Sequence, residues 1–188
     1  VLDPSWVFLG AALGLAGSVR YAIATLTGTA RPNLVTWTLW AGVPLIAFFA
    51  QISAGVGLPA VLTLGAGVGP LLVVVAALST RHGLARIGVF DVVCGTVAVV
   101  ALVVWLGFDE APLAVLLAVA ADAAAALPTI RKGWRDPGSE NLLFYVLVGL
   151  GATLTLFTVT SWEPSAWAFA AYMLVLCVVM IAVVTLRR

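Results

Sequence analysis

The stretch "DAAAALPTIRKGWRDPGSEN", residues 122–141, decides how this chain folds. It opens on a carboxylate set in a run of alanines. It then passes a proline, the only lysine in the protein, two arginines and a Pro-Gly turn. An apolar segment that ends in a basic cluster and a breaker is how a helix leaves a lipid bilayer. The whole chain is built this way. It is 63% hydrophobic and 9% charged, against roughly 25% charged residues in a soluble domain. Seven apolar runs of about 20 residues follow one another, at 5–26, 34–53, 58–79, 87–106, 111–130, 142–160 and 164–186. As a helix, each is long enough to cross a hydrocarbon core of ~30 Å. None shows the alternation of a barrel strand. The expectation is an all-α membrane protein of seven transmembrane helices in one domain, with the lipid bilayer as its first partner.

The charges set an orientation. Arg31 falls between the first and second runs, Arg81, His82 and Arg86 between the third and fourth, and Arg131, Lys132 and Arg135 after the fifth. Arg187 and Arg188 follow the seventh. The remaining connections carry Asp109, Glu110 and Glu163 and no base. Positive residues stay in the cytoplasm, so the N-terminus is expected outside and the C-terminus inside. The first run has no basic leader and follows Asp3 and Pro4, so it reads as a span and not a secretion signal. Trp6, Trp105, Trp134, Trp162 and Trp167 stand near run ends, where an aromatic belt sits, and Trp37 is a further candidate. The Ala/Gly/Val-rich composition is that of a GC-rich bacterium, which places the chain in a bacterial cytoplasmic membrane.

An internal repeat organises the runs. Gly28 and Gly133, Pro32 and Pro137, and Pro59 and Pro164 are all separated by the same interval of 105 residues. Runs one to three therefore look duplicated as runs five to seven. Two three-helix units joined directly would insert in opposite senses, and the fourth run restores the sense. The expected fold is 3+1+3: two parallel three-helix-bundle repeats, 5–80 and 111–186, joined by a linker helix at 87–107. Parallel repeats of this kind are a transporter device, with the solute site near the bilayer midplane between them.

"PTIRKGWRDPGSEN" resembles the proline-containing signature of the PQ-loop superfamily, which includes the SWEET sugar transporters. The resemblance covers the whole chain in layout and is closest in the second repeat. It implies alternating access by two rocking units with hinge prolines in helices 1, 2, 5 and 6. Pro44 and Pro128 match two of those places, while Ile23 and Gly149 stand at the other two. Glycine also loosens a helix, so Pro44, Pro128 and Gly149 are the hinge candidates. The asparagines that hold sugar on the third helix of each SWEET unit have no counterpart here, so sugar does not carry over as the solute. "WTLW", residues 37–40, also resembles a Trp-x-x-Trp motif of nicotinamide-riboside-type vitamin transporters, which share the 3+1+3 plan. PQ-loop relatives include cargo receptors, so a non-transporting seven-helix receptor or scaffold is a third reading.

Asp122 and Arg20 are the two deep charges. Asp122 lies about 11 residues into its run, near midplane by a rise of ~1.5 Å per residue. A carboxylate there costs at least ~2.5 kcal/mol on insertion scales, so it must face protein or water. Two readings are open. Asp122 and Arg20 form a static ion pair between the halves, or Asp122 takes up protons or a cationic solute group with Arg20 tuning it. Thr36, Trp40, Pro44 and Phe48 share one helix face, and an interval of 105 matches them to Asn141, Tyr145, Gly149 and Thr153. Trp40 and Tyr145 offer flat rings with one donor each. Tyr172 is the repeat partner of Gly67, so its ring is expected to fill space that Gly67 leaves. The expected solute site is Asp122, Arg20, Trp40, Asn141, Tyr145 and Tyr172. Gly10, Gly14 and Ser18 read as a packing stripe, Asp91 as a helix-start carboxylate beside Arg86, and His82 as a solvated loop residue. Cys94 and Cys177 read as small packing residues.

No zinc motif, phosphate loop or Cys pair at metal spacing occurs, so no metal, cofactor or enzymatic reaction is indicated. A near-zero net charge of +1 gives no nucleic-acid surface. The sole lysine is expected in a cytoplasmic loop, which removes the Schiff base a seven-helix retinal protein needs. The resemblance implies a transporter of a small polar solute, coupled to protons if Asp122 titrates, with a vitamin transporter and a non-transporting receptor or scaffold as the alternatives.

Overall fold

The structure, a computed structural model, describes residues 2–53, 59–80, 86–107, 111–159 and 164–187. Arg81, His82, Asp109, Glu110, Trp162, Glu163 and Arg188 lie outside the described residues, as does the side chain of Trp105. The described chain is all helical: α1 Trp6–Leu26, α2 Leu34–Ser53, α3 Pro59–Ser79, α4 Val89–Leu106, α5 Ala111–Arg135, α6 Leu142–Thr158 and α7 Pro164–Arg187. A 3-10 turn, Pro137–Ser139, separates α5 from α6. These bounds follow the apolar runs closely, because burial of uninterrupted apolar side chains sets where each helix can continue. The exception is α5, which was expected to stop at residue 130. It passes through Pro128 and the basic cluster to Arg135, so Lys132 and Arg135 lie in its last turn and not in a loop. Cations suit a helix C-terminus, and a lone proline breaks only one helical hydrogen bond while the neighbours hold.

Among the described residues, three helical segments are long and apolar enough to cross a membrane: Trp6–Leu26, Val61–Ser79 and Trp167–Arg187. Shorter apolar stretches run over Leu34–Leu45, Val89–Val100 and Leu142–Thr158. The outside of the bundle is apolar as well, with Phe8, Val75, Leu78, Val97, Val103, Phe157 and Val178 exposed. Such a surface suits association with lipid. Trp6 and Trp134 are exposed near helix ends, as a belt residue should be, whereas Trp37 is fully buried and belongs to the core.

In the first three helices, α3 packs against both α1 and α2; in the last three, α7 packs against both α5 and α6. The two sets meet through α1 on α6 and α2 on α5, and α4 lies mainly on α5 with a smaller contact to α2. Glycine decides how closely they meet. A Cβ on Gly151 of α6 would stand 2.7 Å from the Gly10 carbonyl oxygen, and one on Gly17 3.2 Å from the Phe144 carbonyl oxygen. Of the expected stripe on α1, Gly10 faces α6 and Ser18 faces Gly69 of α3, but nothing lies within 4 Å of a Cβ placed on Gly14. Gly67 leaves no space for Tyr172, since its own Cβ would stand 2.7 Å from the Leu45 side chain.

The turns after α1 and α5 differ in detail. Gly28 ends α1 in the left-handed region at φ 74°, which glycine adopts without steric cost. Gly133 is helical, 3.4 Å by its would-be Cβ from Met180 of α7. The caps also shift the register. Asn33 Oδ1 accepts the Val35 and Thr36 N–H groups at the start of α2. Asn141 Oδ1 accepts the Phe144 N–H at the start of α6. Asn33 and Asn141 are 108 positions apart, three more than the prolines before them, and the extra length is taken up beside the 3-10 turn. Counted from its cap, Tyr145 therefore matches Trp37 and not Trp40. Asp91 accepts from Asn33 Nδ2 at 3.0 Å and from the Gly88 N–H, so it fixes the start of α4 to the start of α2.

Gly151→Val should separate α1 from α6 and lower the thermal unfolding temperature in detergent, by the ~1–3 kcal/mol that overpacking costs. Gly14→Ala, placed in open space on the same helix, should leave it unchanged. Equal effects from both would show that the Gly10–Gly151 approach does not limit the packing.

Candidate functional site

Among the described residues two carboxylates are buried, and they are satisfied very differently. Asp122, on α5, is 4% exposed. The Tyr172 hydroxyl of α7 donates to its Oδ2 at 2.6 Å. Trp40 of α2 is close enough to interact with the same carboxyl, yet its buried Nε1 meets no acceptor at hydrogen-bonding geometry. Asp122, Trp40 and Tyr172 thus come together from three helices. One turn along α5, Thr36 Oγ1 donates to the Ala125 carbonyl at 2.7 Å and ties α2 to α5.

Two of the hinge candidates are prolines within the helices that carry Trp40 and Asp122. Pro44 has no N–H to give the Trp40 carbonyl four residues before it, and Pro128 likewise leaves the Ala124 carbonyl without its helical donor. Both prolines are buried inside intact helices. Gly149, the third hinge candidate, is buried against Cys177, whose Cβ is 3.2 Å from where a Gly149 Cβ would stand.

Arg20 does not join Asp122. It is exposed, and among the described residues it makes no ion pair. The reason is topological: among the described residues α1 packs on α3 and α6 and not on α5, the helix that carries Asp122. Asn141 caps α6 instead of entering the site. Tyr145 is fully buried, but its hydroxyl serves the second carboxylate.

That carboxylate is Glu140, which the sequence reading passed over. It is 2% exposed, immediately before the α6 cap. Its Oε2 accepts from the Tyr21 hydroxyl at 3.0 Å and the Tyr145 hydroxyl at 2.8 Å. Its Oε1 lies 2.5 Å from Lys132 Nζ. Lys132 also donates to the Arg31 carbonyl, the Arg31 N–H donates to the Ser139 carbonyl at 3.0 Å, and the Arg31 guanidinium meets Asp136 at 2.5 Å. Around this network sit Trp37, whose ring is 4.4 Å from Tyr21, and Phe144, 5.0 Å from both Trp37 and Tyr145. Glu140 therefore joins α1, α5, α6 and the α1–α2 turn. One signal could have exposed it. The chain has three tyrosines, and every one donates to a buried carboxylate: Tyr21 and Tyr145 to Glu140, Tyr172 to Asp122. A tyrosine in an apolar helix needs an acceptor, and acids are few enough here to be counted.

Chemically, Glu140 is a closed site: two donors and an ammonium account for its charge. Asp122 has hydroxyl help but no Lys or Arg among the described residues within ion-pairing distance. No cluster of three or more His, Cys, Asp or Glu side chains that could hold a metal occurs among the described residues. Cys94 and Cys177 are both buried free thiols. The apolar groove between α2 and α4, about 340 Å³, is lined by Leu34, Val35, Thr38, Leu39, Ile87 and Val99 and includes none of these groups.

No family model matches this chain, and no curated protein or solved structure matches it.

Glu140→Ala should lower stability by the ~3–5 kcal/mol that an orphaned buried charge costs, read as a fall in unfolding temperature in detergent. The double variant Glu140→Ala/Lys132→Ala should lose less than the two single losses added together, because neither charge is then left alone. Strict additivity would mean that the two side chains do not share an ion pair.

Proposed function

We propose that this chain is a seven-helix membrane transporter that moves a small polar solute by alternating access, in the manner of the SWEET/PQ-loop proteins its sequence resembles. The observation that carries the reading is Asp122: a carboxylate buried between α2, α5 and α7 with no cationic partner among the described residues. A purely structural carboxylate in an apolar bundle is paired, as Glu140 is. One left short of a counter-charge is suited to meeting something that comes and goes.

The helix packing supports the same reading. The middle position of α3 between α1 and α2 recurs as α7 between α5 and α6. Arg31 and Asp136, equivalent positions of the two expected repeats, meet each other, which is what residues beside a two-fold axis do. On this reading α4 is the linker helix, and the basic end faces the cytoplasm. The N-terminus is then outside, in a bacterial cytoplasmic membrane. The Glu140–Lys132–Arg31–Asp136 network ties the two units together at the cytoplasmic end. Opening to that side requires these bonds to part while Pro44, Pro128 and Gly149 absorb the bend. Opening to the other side parts α1 from α6 near Gly10 and Gly151. Asp122, Trp40 and Tyr172 lie between, reached from each side in turn.

The test is solute counterflow in liposomes that hold the purified protein. The wild type should exchange labelled polar solutes, and Asp122→Asn should abolish the exchange or its pH dependence while retaining its helical content. Unchanged exchange by Asp122→Asn at every pH would remove Asp122 from the mechanism. Binding without exchange of any solute would favour a receptor over a transporter.

A further inference from the structure

We infer that Asp122, Trp40 and Tyr172 form the seat for an organic ammonium group, so that the solute is a cation and not a neutral sugar. The inference rests on the transporter reading for its purpose, but its chemistry can be tested separately.

Charge is the first argument. The described Lys and Arg side chains are directed elsewhere: Lys132 to Glu140, Arg31 to Asp136, Arg187 over the Trp134 ring and Arg131 over the Phe90 ring, while Arg20, Arg86 and Arg135 are exposed. The Tyr172 hydroxyl already donates to one oxygen of Asp122. A carboxylate that receives a donor in a buried place is a seat for positive charge.

The second argument is the balance of donors and acceptors. A polyol both gives and takes hydrogen bonds at each hydroxyl, so its site needs both kinds. At Asp122 the second carboxylate oxygen is an acceptor, while the Tyr172 hydroxyl is already committed to the first. Of the buried donors without a hydrogen-bond partner, Trp40 Nε1 is the one beside this carboxyl. An ammonium group only gives. The third argument is aromatic. Trp40 and Tyr172 both approach Asp122, and the Phe169 ring lies 6.2 Å from Tyr172. Ring faces attract alkylated ammonium groups, whereas a small metal ion needs a shell of oxygen ligands.

The experiment is isothermal titration calorimetry on the purified full chain in lipid nanodiscs, at neutral pH and fixed ionic strength. The probes are tetramethylammonium and butylammonium chlorides, with tert-butanol and glucose as neutral comparators. The ammonium salts should bind and the neutral compounds should not. Asp122→Asn should weaken ammonium binding at least about tenfold. Trp40→Leu should weaken tetramethylammonium more than butylammonium, since the methylated cation relies more on the ring face. Asp122→Glu, which keeps the charge, should retain part of the binding and guards against misreading a fold defect in Asp122→Asn. Glucose binding with no response to ammonium overturns the inference. So does ammonium binding that Asp122→Asn leaves unchanged. Equal heats from all four compounds, which report dilution and no specific binding, overturn it as well. Ammonium binding without counterflow leaves the inference standing and removes the transporter reading, while counterflow of neutral solutes alone does the reverse.

Discussion

Glu140 holds two tyrosine hydroxyls on one carboxylate oxygen and a lysine ammonium on the other, inside a bundle with little else that is polar. Its donors come from α1, α5 and α6, so the same charge cannot be satisfied unless those three helices are together. An unpaired carboxylate at 2% exposure would be very costly. Burial thus turns one side chain into a condition on the whole arrangement. Generic apolar contacts permit many helix packings of similar energy; a buried ion with three specified partners accepts few of them. The close approaches at Gly10 and Gly151 then set the distance between α1 and α6, but they do not choose which helices pair.

The contrast with Asp122 separates two uses of the same functional group. Both carboxylates are buried and both accept a tyrosine hydroxyl. Glu140 also has a lysine, which makes it a fastening whose release is expensive. Asp122 has an indole close by and no cation among the described residues. On the proposed mechanism the fastening and the seat cooperate: the first holds one end of the bundle closed while the second is loaded.

On the proposed two-unit plan, the three-residue difference in cap spacing makes the two units asymmetric. The additional length lies between Pro137 and Asn141 and carries Glu140 into the interior. The corresponding turn after α1 has Arg31, Pro32 and Asn33 and no acid. One unit supplies the carboxylate and the lysine, and the other supplies Tyr21 and the Arg31 backbone. Neither half alone contains the network.

Much of this was legible in the residues themselves. Seven helices and nearly all their ends follow from hydropathy, because it is a local property of the chain. Trp40 and Tyr172 do stand near Asp122, but not for the reason the repeat offers, since Gly67 leaves Tyr172 no space. The pairing of Arg20 with Asp122 could not be decided from the residues, and the packing ruled it out: α1 lies on α3 and α6, away from α5. Which carboxylate Tyr145 serves was equally out of reach, although the need of each tyrosine for an acceptor was legible. Local hydropathy says that a segment is helical and roughly where it ends. Which charged groups share an interior depends on the rotation of each helix about its axis and on its choice of neighbour. Those are set by long-range contacts that no stretch of the chain contains by itself.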